Sequence, residues 1–336
     1  MLGVMTSVNR TRLIVAFALL NLAALSAARC FAQDVTLEAS AGTGILYGVA
    51  KELVYNYYNG QQYTQSELDW DIKPLFMAHA GLTMRTAPGF AASLDVQLGV
   101  PGKTGSISDS DWLNVQYNGD MATKTNYSLQ DCYTERAILV DARAGWELPL
   151  PAGVILEPFL SFGFMDFKWT ARDGYLQYPP GWFGSGASRP YPSYSTDPVI
   201  NLSGTGIIYE QTYYIPAVGV DARFRSGDFG GAISFSVSPF VFCNDVDNHE
   251  LAGYDYYDTM SNGFLLEQRI SLEWQIGRYR LSLDISYRHI GGLVGDTRQV
   301  ATGIYGGSGP ATSTYQNGAG ASFDVLGAFL SFAWMP

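Results

Sequence analysis

Period-two alternation of apolar and polar residues, repeated in segments bounded by turn residues, constrains this chain more than any other feature. In 232–242, Ile233, Phe235, Val237 and Val241 occupy one parity while Ser234, Ser236 and Ser238 occupy the other. In 94–100, Leu94, Val96, Leu98 and Val100 alternate with Asp95, Gln97 and Gly99. Successive strand side chains point to opposite faces, so each segment has one apolar and one polar side. Soluble sandwiches and propellers also contain such strands. The connections separate the alternatives. Tight turns fall at Thr86-Ala87-Pro88-Gly89, Leu148-Pro149-Leu150-Pro151-Ala152-Gly153, Arg225-Ser226-Gly227-Asp228 and Gly277-Arg278, each holding Gly, Pro or Asp. Between them lie longer polar segments at 49–63, 101–128, 171–203, 244–262 and 293–317. Five long loops alternating with four tight turns give ten strands, with both chain ends on the tight-turn side. The pattern predicts an all-β fold, a ten-stranded antiparallel transmembrane β-barrel with periplasmic turns and extracellular loops. Its last strand carries Leu326, Ala328, Leu330, Phe332 and Trp334 on one parity, though Met335-Pro336 departs from the aromatic residue common at the end of such barrels.

The beginning of the chain has a separate origin. Arg10 and Arg12 precede an apolar stretch from Leu13 to Ala28, followed by Cys30-Phe31-Ala32 and the polar Gln33-Asp34, the layout of a secretory signal peptide. Residues 1–32 are therefore expected to be the leader, and 33–336 a single barrel domain. Arg29 beside Cys30 argues against lipid attachment. The apolar core is shorter than the roughly 20 residues of a spanning helix, and no other long apolar run follows. Loss of Arg10, Arg12 and Arg29 moves the formal charge from −11 to −14. Such acidity excludes nucleic acid as a natural partner, since that binding rests on Lys and Arg, and favours basic partners. Two cysteines remain, Cys132 and Cys243, which an oxidising compartment permits to pair.

Only three histidines are present. His79 lies within an alternating strand and His289 near the end of another, as lumen or packing residues. His249 lies in Asp245-Val246-Asp247-Asn248-His249, after the serine-lined strand enters an exterior loop. In an extended segment, residues two apart share a face, so Asp247 can orient the His249 imidazole and stabilise its protonated form. Such a pair suits general-base activation of water. Alone, an Asp-x-His in a loop reads as a solvated turn. A second cluster, Ile107-Ser108-Asp109-Ser110-Asp111-Trp112, repeats the spacing beyond another strand. Extended chain from Val100 to Asp109 rises by up to roughly 30 Å, which lifts these acids well above the lipid. Carboxylates facing a histidine across a barrel mouth can hold a water between them, with no serine or cysteine nucleophile. Strict alternation from Ile233 turns Asp247 and His249 toward lipid, so a parity-resetting bulge is expected at Pro239, which lacks a ladder donor.

These segments resemble the omptins, outer-membrane aspartate/histidine endopeptidases whose active site opens at the cell surface. Asp109-Ser110-Asp111-Trp112 is similar to their Asp-x-Asp-Trp, and Asp247-Asn248-His249 to their Asp-x-His. The stretch Gly48-Val49-Ala50-Lys51-Glu52-Leu53-Val54-Tyr55 with Leu68-Asp69-Trp70 is similar to their first-loop pattern and second strand. Thr170-Ala171-Arg172-Asp173-Gly174, Ile215-Pro216 and Gly318-Ala319-Gly320 also stand at family-like positions. The resemblance covers essentially the whole mature chain. It implies Asp109, Asp111, Asp247 and His249 as catalytic residues, Glu52 and Asp245 as the acidic pocket for a basic substrate side chain, and neither metal nor cofactor. The family's basic lipopolysaccharide site is partly matched, by Asp166 and Lys168, but Thr212 stands where the family has arginine. Lipopolysaccharide or another outer-membrane lipid is thus a candidate activator rather than an implied requirement. The third loop, rich in Pro, Gly and aromatics from Tyr175 to Pro192, is placed to lid the cleft or restrict substrates.

The resulting expectation is a monomeric outer-membrane endopeptidase cleaving basic peptides or proteins. A catalytically silent barrel acting as a surface adhesin or host-protein binder is the alternative. A passive pore ranks last, because ten strands leave far less room than the roughly 16 to 18 of porins.

Overall fold

The computed structural model describes residues 35–182, 187–250, 253–302 and 312–335, and the expected leader lies outside them. Its strands are β1 (Val35–Tyr58), β2 (Gln61–Thr86), β3 (Phe90–Gly99), β4 (Gly102–Asp111), β5 (Asn126–Trp146), β6 (Leu148–Pro149), β7 (Val154–Gln177), β8 (Ile200–Ser226), β9 (Phe229–His249), β10 (Tyr254–Ile276), β11 (Tyr279–Ala301) and β12 (Thr312–Trp334). β3 and β4 are halves of one strand, both lying between β2 and β5. They part at Val100-Pro101, where proline has no N–H for the ladder. β6 pairs only with the base of β7. Ten antiparallel staves remain, and β1 closes the ring on β12 from Ala39 opposite Trp334 to Val54 opposite Ala319. Among the described residues, closure leaves none of the ten staves with an open edge.

The four tight turns stand where the sequence places them. In two of them Gly227 and Gly277, at φ 61° and 62°, supply the left-handed backbone that a two-residue hairpin requires. The long loops differ from expectation, because much of each is strand. The segment 49–63 is β1 and β2 joined by Asn59-Gly60, and Asp247 and His249 sit on β9 itself. Above the lipid both faces of a stave meet water or a polar cleft, so apolar alternation fades while the hydrogen-bonded ladder continues. Staves of 21 to 27 residues, such as β5 and β8, are about twice as long as the roughly 9–11 that cross a bilayer.

An outward belt of exposed apolar side chains marks the bilayer. Trp146, Phe224, Phe229, Trp274, Tyr279 and Trp334 edge it on the turn side, with Phe229 stacked on Trp274 and Tyr279 on Phe332. Tyr47, Phe76, Val100, Phe242, Phe264, Tyr287 and Leu326 are its last members toward the loops. Such aromatic-edged belts fit lipid headgroup levels.

The lumen is layered. Its lower part is charged and encloses a cavity of about 180 Å3 lined by residues including Glu38, Arg85, Arg143, Arg223 and Glu273. These charges are paired, with Arg143 on Asp141 at 2.6 Å and Arg223 on Glu157 at 2.7 Å. His79 joins this layer, 2.9 Å from Asp95, whereas His289 pairs with Asp324 at 2.6 Å and packs on Phe264. Above it, Trp70, Trp169, Tyr209, Phe167, Tyr213 and Phe323 form a fully buried aromatic layer. Trp70 stacks on Tyr209 at 5.2 Å and Phe167 on Trp169 at 5.2 Å. The two cysteines do not pair: both thiols are free and buried, Cys132 on β5 beside Thr104 and Cys243 on β9, separated in the ring by β7 and β8.

Candidate active site

β9 delivers the histidine through a shift of parity. Ser234, Ser236 and Ser238 are buried toward the lumen; Pro239 and Phe240 then both face outward, and Val241, Cys243, Asp245 and Asp247 are buried. Pairing jumps in step, from Val237 opposite Val218 to Phe242 opposite Tyr214 on one side, and from Ser238 opposite Leu265 to Val241 opposite Gly263 on the other. One extra residue at Pro239-Phe240 therefore turns Asp247 inward, as a bulge does. Asp247 lies five residues, and His249 seven, beyond Phe242, outside the lipid belt. β4 reaches the site by two irregularities that cancel: beyond the break at Val100-Pro101, Thr104 is buried on the opposite parity from Asp95 and Gln97, and a register shift between Lys103 and Gly105 returns Ile107 and Asp109 to theirs.

The imidazole Nε2 of His249 contacts Asp247 Oδ2 at 2.6 Å, and its ring meets Tyr256 edge-on at 5.5 Å. Burial works to lower the imidazole's pKa, but Asp247, then Asp109 and Asp111 from the far wall, outweigh it and hold the group up at about 9. An influence of that kind acts at short range, so the β4 acids lie across the same space from the imidazole. Burial raises Asp109, opposed by the nearby His249 and a 3.2 Å hydrogen bond from Ser66 Oγ. Burial and the neighbouring Asp109 raise Asp111 well above the usual carboxylate range. Of two acids so placed, one tends to keep its proton.

Glu52 and Asp245 lie next to this space. Burial, with Asp247, Asp245 and Asp258 nearby, raises Glu52 strongly; burial and Asp258 do the same to Asp245. Asp245 Oδ2 accepts from the Tyr209 hydroxyl at 2.8 Å, and Gln211 Nε2 donates to that same hydroxyl oxygen at 2.7 Å. Sequence reading missed Asp258, six residues beyond Phe264 on β10 and directly opposite Asp245. No motif marks it; only cross-strand register could have found it. Ser66 was similarly silent, although it shares parity with Leu68 and Trp70 and pairs in register with Asp111.

The third loop docks on the second. Asn114 and Tyr191 exchange two 2.8 Å hydrogen bonds, and the Tyr194 amide donates to the Lys124 carbonyl at 3.0 Å. The Lys124 ammonium lies over the rings of Trp112, Tyr127 and Tyr194. At the loop's base the Tyr178 hydroxyl hydrogen-bonds Asp109. On the exterior, Asp166 accepts two bonds from Arg136, at 2.8 and 3.0 Å, and Arg136 also reaches Glu210 at 3.1 Å.

Comparisons with known proteins agree with this architecture. The plasminogen activator of Yersinia pestis is 23% identical over 242 residues, 66% of this chain and 69% of its own length. The outer membrane protease OmpT from Escherichia coli superposes with a TM-score of 0.78 at 18% identity, covering 90% of this chain and 97% of that one, a likeness of fold. The profile of the Omptin family matches residues 32–332. With the profile spanning the barrel from its first stave to its last, the chain belongs to the omptin family of outer-membrane β-barrels, its cleft open at the cell surface.

Proposed function

We propose that this omptin is an endopeptidase that cleaves peptide bonds next to basic residues, using a water activated by His249 and Asp247 opposite Asp109 and Asp111. His249 takes a proton from the water, whose oxygen attacks the carbonyl carbon; the imidazolium then returns the proton to the leaving amine. Asp247 stabilises that imidazolium. Asp109 and Asp111 orient the water, and whichever of them keeps its proton donates to the developing oxyanion. Glu52 and Asp245 receive the basic side chain through charge-assisted hydrogen bonds.

The observation that carries the reading is the 2.6 Å His249–Asp247 contact with its imidazole raised by acids on the opposite wall. A structural ion pair would have no reason to face two further carboxylates that are themselves short of counter-charge. The test is cleavage of dibasic fluorogenic peptides by refolded mature protein. His249→Ala and Asp109→Ala are each expected to lower kcat/KM by about 10²–10⁴. Activity unchanged in both variants rejects the mechanism; no cleavage by the parent, with tight binding of a basic host protein, favours the adhesin.

A further inference from the structure

The acidic pocket contains one carboxylate more than the Glu52–Asp245 pair. We propose that Asp258 is a third member of that pocket and makes it select arginine over lysine; the inference rests on the reading of Glu52 and Asp245 given above.

Asp258 on β10 pairs in register with Asp245 on β9, both side chains are buried, and their carboxyl groups share a hydrogen bond. Glu52 belongs to β1, which β11 and β12 separate from β10 in the ring, so its carboxyl group comes from another wall of the lumen. Each of the three is more than nine-tenths buried, and each keeps one buried oxygen without a hydrogen-bond partner: Glu52 Oε2, Asp245 Oδ1 and Asp258 Oδ1. Among the described residues no lysine or arginine forms an ion pair with any of them. Lys51, the neighbour of Glu52, turns instead to Glu67 at 2.5 Å and Asp69 at 3.0 Å. Apart from the hydrogen bonds these acids share among themselves, Asp245 with Asp258 and Glu52 with Asp247, no donor reaches those three oxygens, and acceptors left so at this depth are costly unless a ligand supplies donors.

The chemistry of the donor follows from the layout. Among the described residues no three acidic or histidine side chains converge as metal ligands would. Acceptors approaching from two walls suit a planar group with donors on more than one edge. A guanidinium has five N–H donors in a rigid plane and stays charged, whereas an ammonium offers three donors from one point and is more strongly hydrated. An ammonium drawn to the Asp245–Asp258 side leaves Glu52 unsatisfied, and one drawn to Glu52 leaves the other two. A structural Asp258, held by Thr297 and Asp245, would affect stability or overall activity but not the ranking of two basic side chains.

Refolded mature protein is assayed on matched quenched peptides with arginine, lysine or citrulline before the cleaved bond, using the parent, Asp258→Asn, Glu52→Gln and Asp245→Asn. The parent should prefer arginine over lysine by about ten-fold or more in kcat/KM, and Asp258→Asn should reduce that preference to about two-fold while still cleaving. If Asp258→Asn fails to fold, judged by heat-modifiable gel mobility, Asp258→Ser replaces it; Asp258→Glu should restore part of the preference. An unchanged ratio in the folded Asp258 variant, with Glu52→Gln and Asp245→Asn losing both basic peptides, overturns the role of Asp258 and leaves the pocket standing. Equal cleavage of arginine, lysine and citrulline peptides by the parent and by the Glu52 and Asp245 variants overturns the pocket, and this inference with it.

Discussion

His249 in contact with Asp247 meets a difficulty as a general base, because an imidazole held at about 9 is protonated at neutral pH. Its neighbours answer part of it. Asp109 and Asp111 are raised by burial, so protons are shared across the set and the groups titrate together. The neutral imidazole becomes the dominant form as pH rises, and kcat/KM should climb on the alkaline side of neutrality. Among the groups that raise the imidazole, Asp247 is foremost. Asp247→Asn removes an anion that favours the charged ring, the pKa falls, and the acid limb of the kcat/KM profile moves to lower pH while kcat drops by at least about ten-fold. Tyr178 acts in the same direction, one step removed. Its hydroxyl favours the Asp109 carboxylate, so Tyr178→Phe lets Asp109 keep its proton to higher pH, weakens one of the anions that hold the imidazole up, and moves the acid limb down by less than Asp247→Asn does. Profiles of the two variants on one peptide check both, and an upward shift in either would refute this assignment of protons.

β9 converts a sequence problem into a site. Its lower half faces lipid with Ile233 and Phe235 and the lumen with serines, and without the bulge at Pro239-Phe240 the same parity would carry Asp247 and His249 to the outer face. Deleting Phe240 removes the extra residue, so strict alternation from Ser238 through Pro239 to Val241 then carries Asp247 and His249 inward with their partners on β8 and β10 unchanged. The barrel is expected to fold with its heat-modifiable mobility retained and to cleave peptide within about ten-fold of the parent. Loss of cleavage in the folded deletion variant would mean that the histidine reaches the cleft by another route. This strand also shows how far the sequence was readable. Apolar alternation marked the lipid-facing halves of the staves and their turns, and a proline without a ladder donor located the bulge. Beyond the belt the signal weakened, because residues such as Asp255, Tyr256 and Tyr257 are polar or amphipathic on both faces, and strand was read as loop. The four residues of the Asp-x-Asp and Asp-x-His segments were visible through local spacing. Asp258, Ser66 and Tyr178 were not, because each acquires its place from a partner distant in sequence: Asp245 across a hairpin, Asp109 across two staves, and Asp109 again from a folded loop.

Across the whole molecule, the aromatic layer divides two polar compartments. Trp70, Trp169, Tyr209 and Phe323 fill the lumen between the charged lower cavity and the cleft, and they seal it against solute flow. Planar-bilayer recordings should accordingly lack the steady conductance of an open pore. The same layer is a rigid floor beneath the carboxylates, and the barrel bears an electrostatic penalty for holding them there. Asp258 illustrates the sign. Burial pushes its pKa up to about 7, above the unfolded carboxylate value, so the folded state binds the proton more tightly. Stability then falls as pH rises from the unfolded value through about 7. A shift of this size corresponds to a few kcal/mol at roughly 1.4 kcal/mol per unit. Asp258→Asn, which keeps an acceptor for Thr297 and cannot ionise, should raise the midpoint of thermal unfolding in detergent at pH 8 and leave it unchanged at pH 4. An equal midpoint at pH 8, or a gain at pH 4 as well, would show that Asp258 bears no ionisation penalty. A gain confined to alkaline pH, together with loss of arginine selectivity, would mean that the acid is retained for its ligand at the expense of the fold.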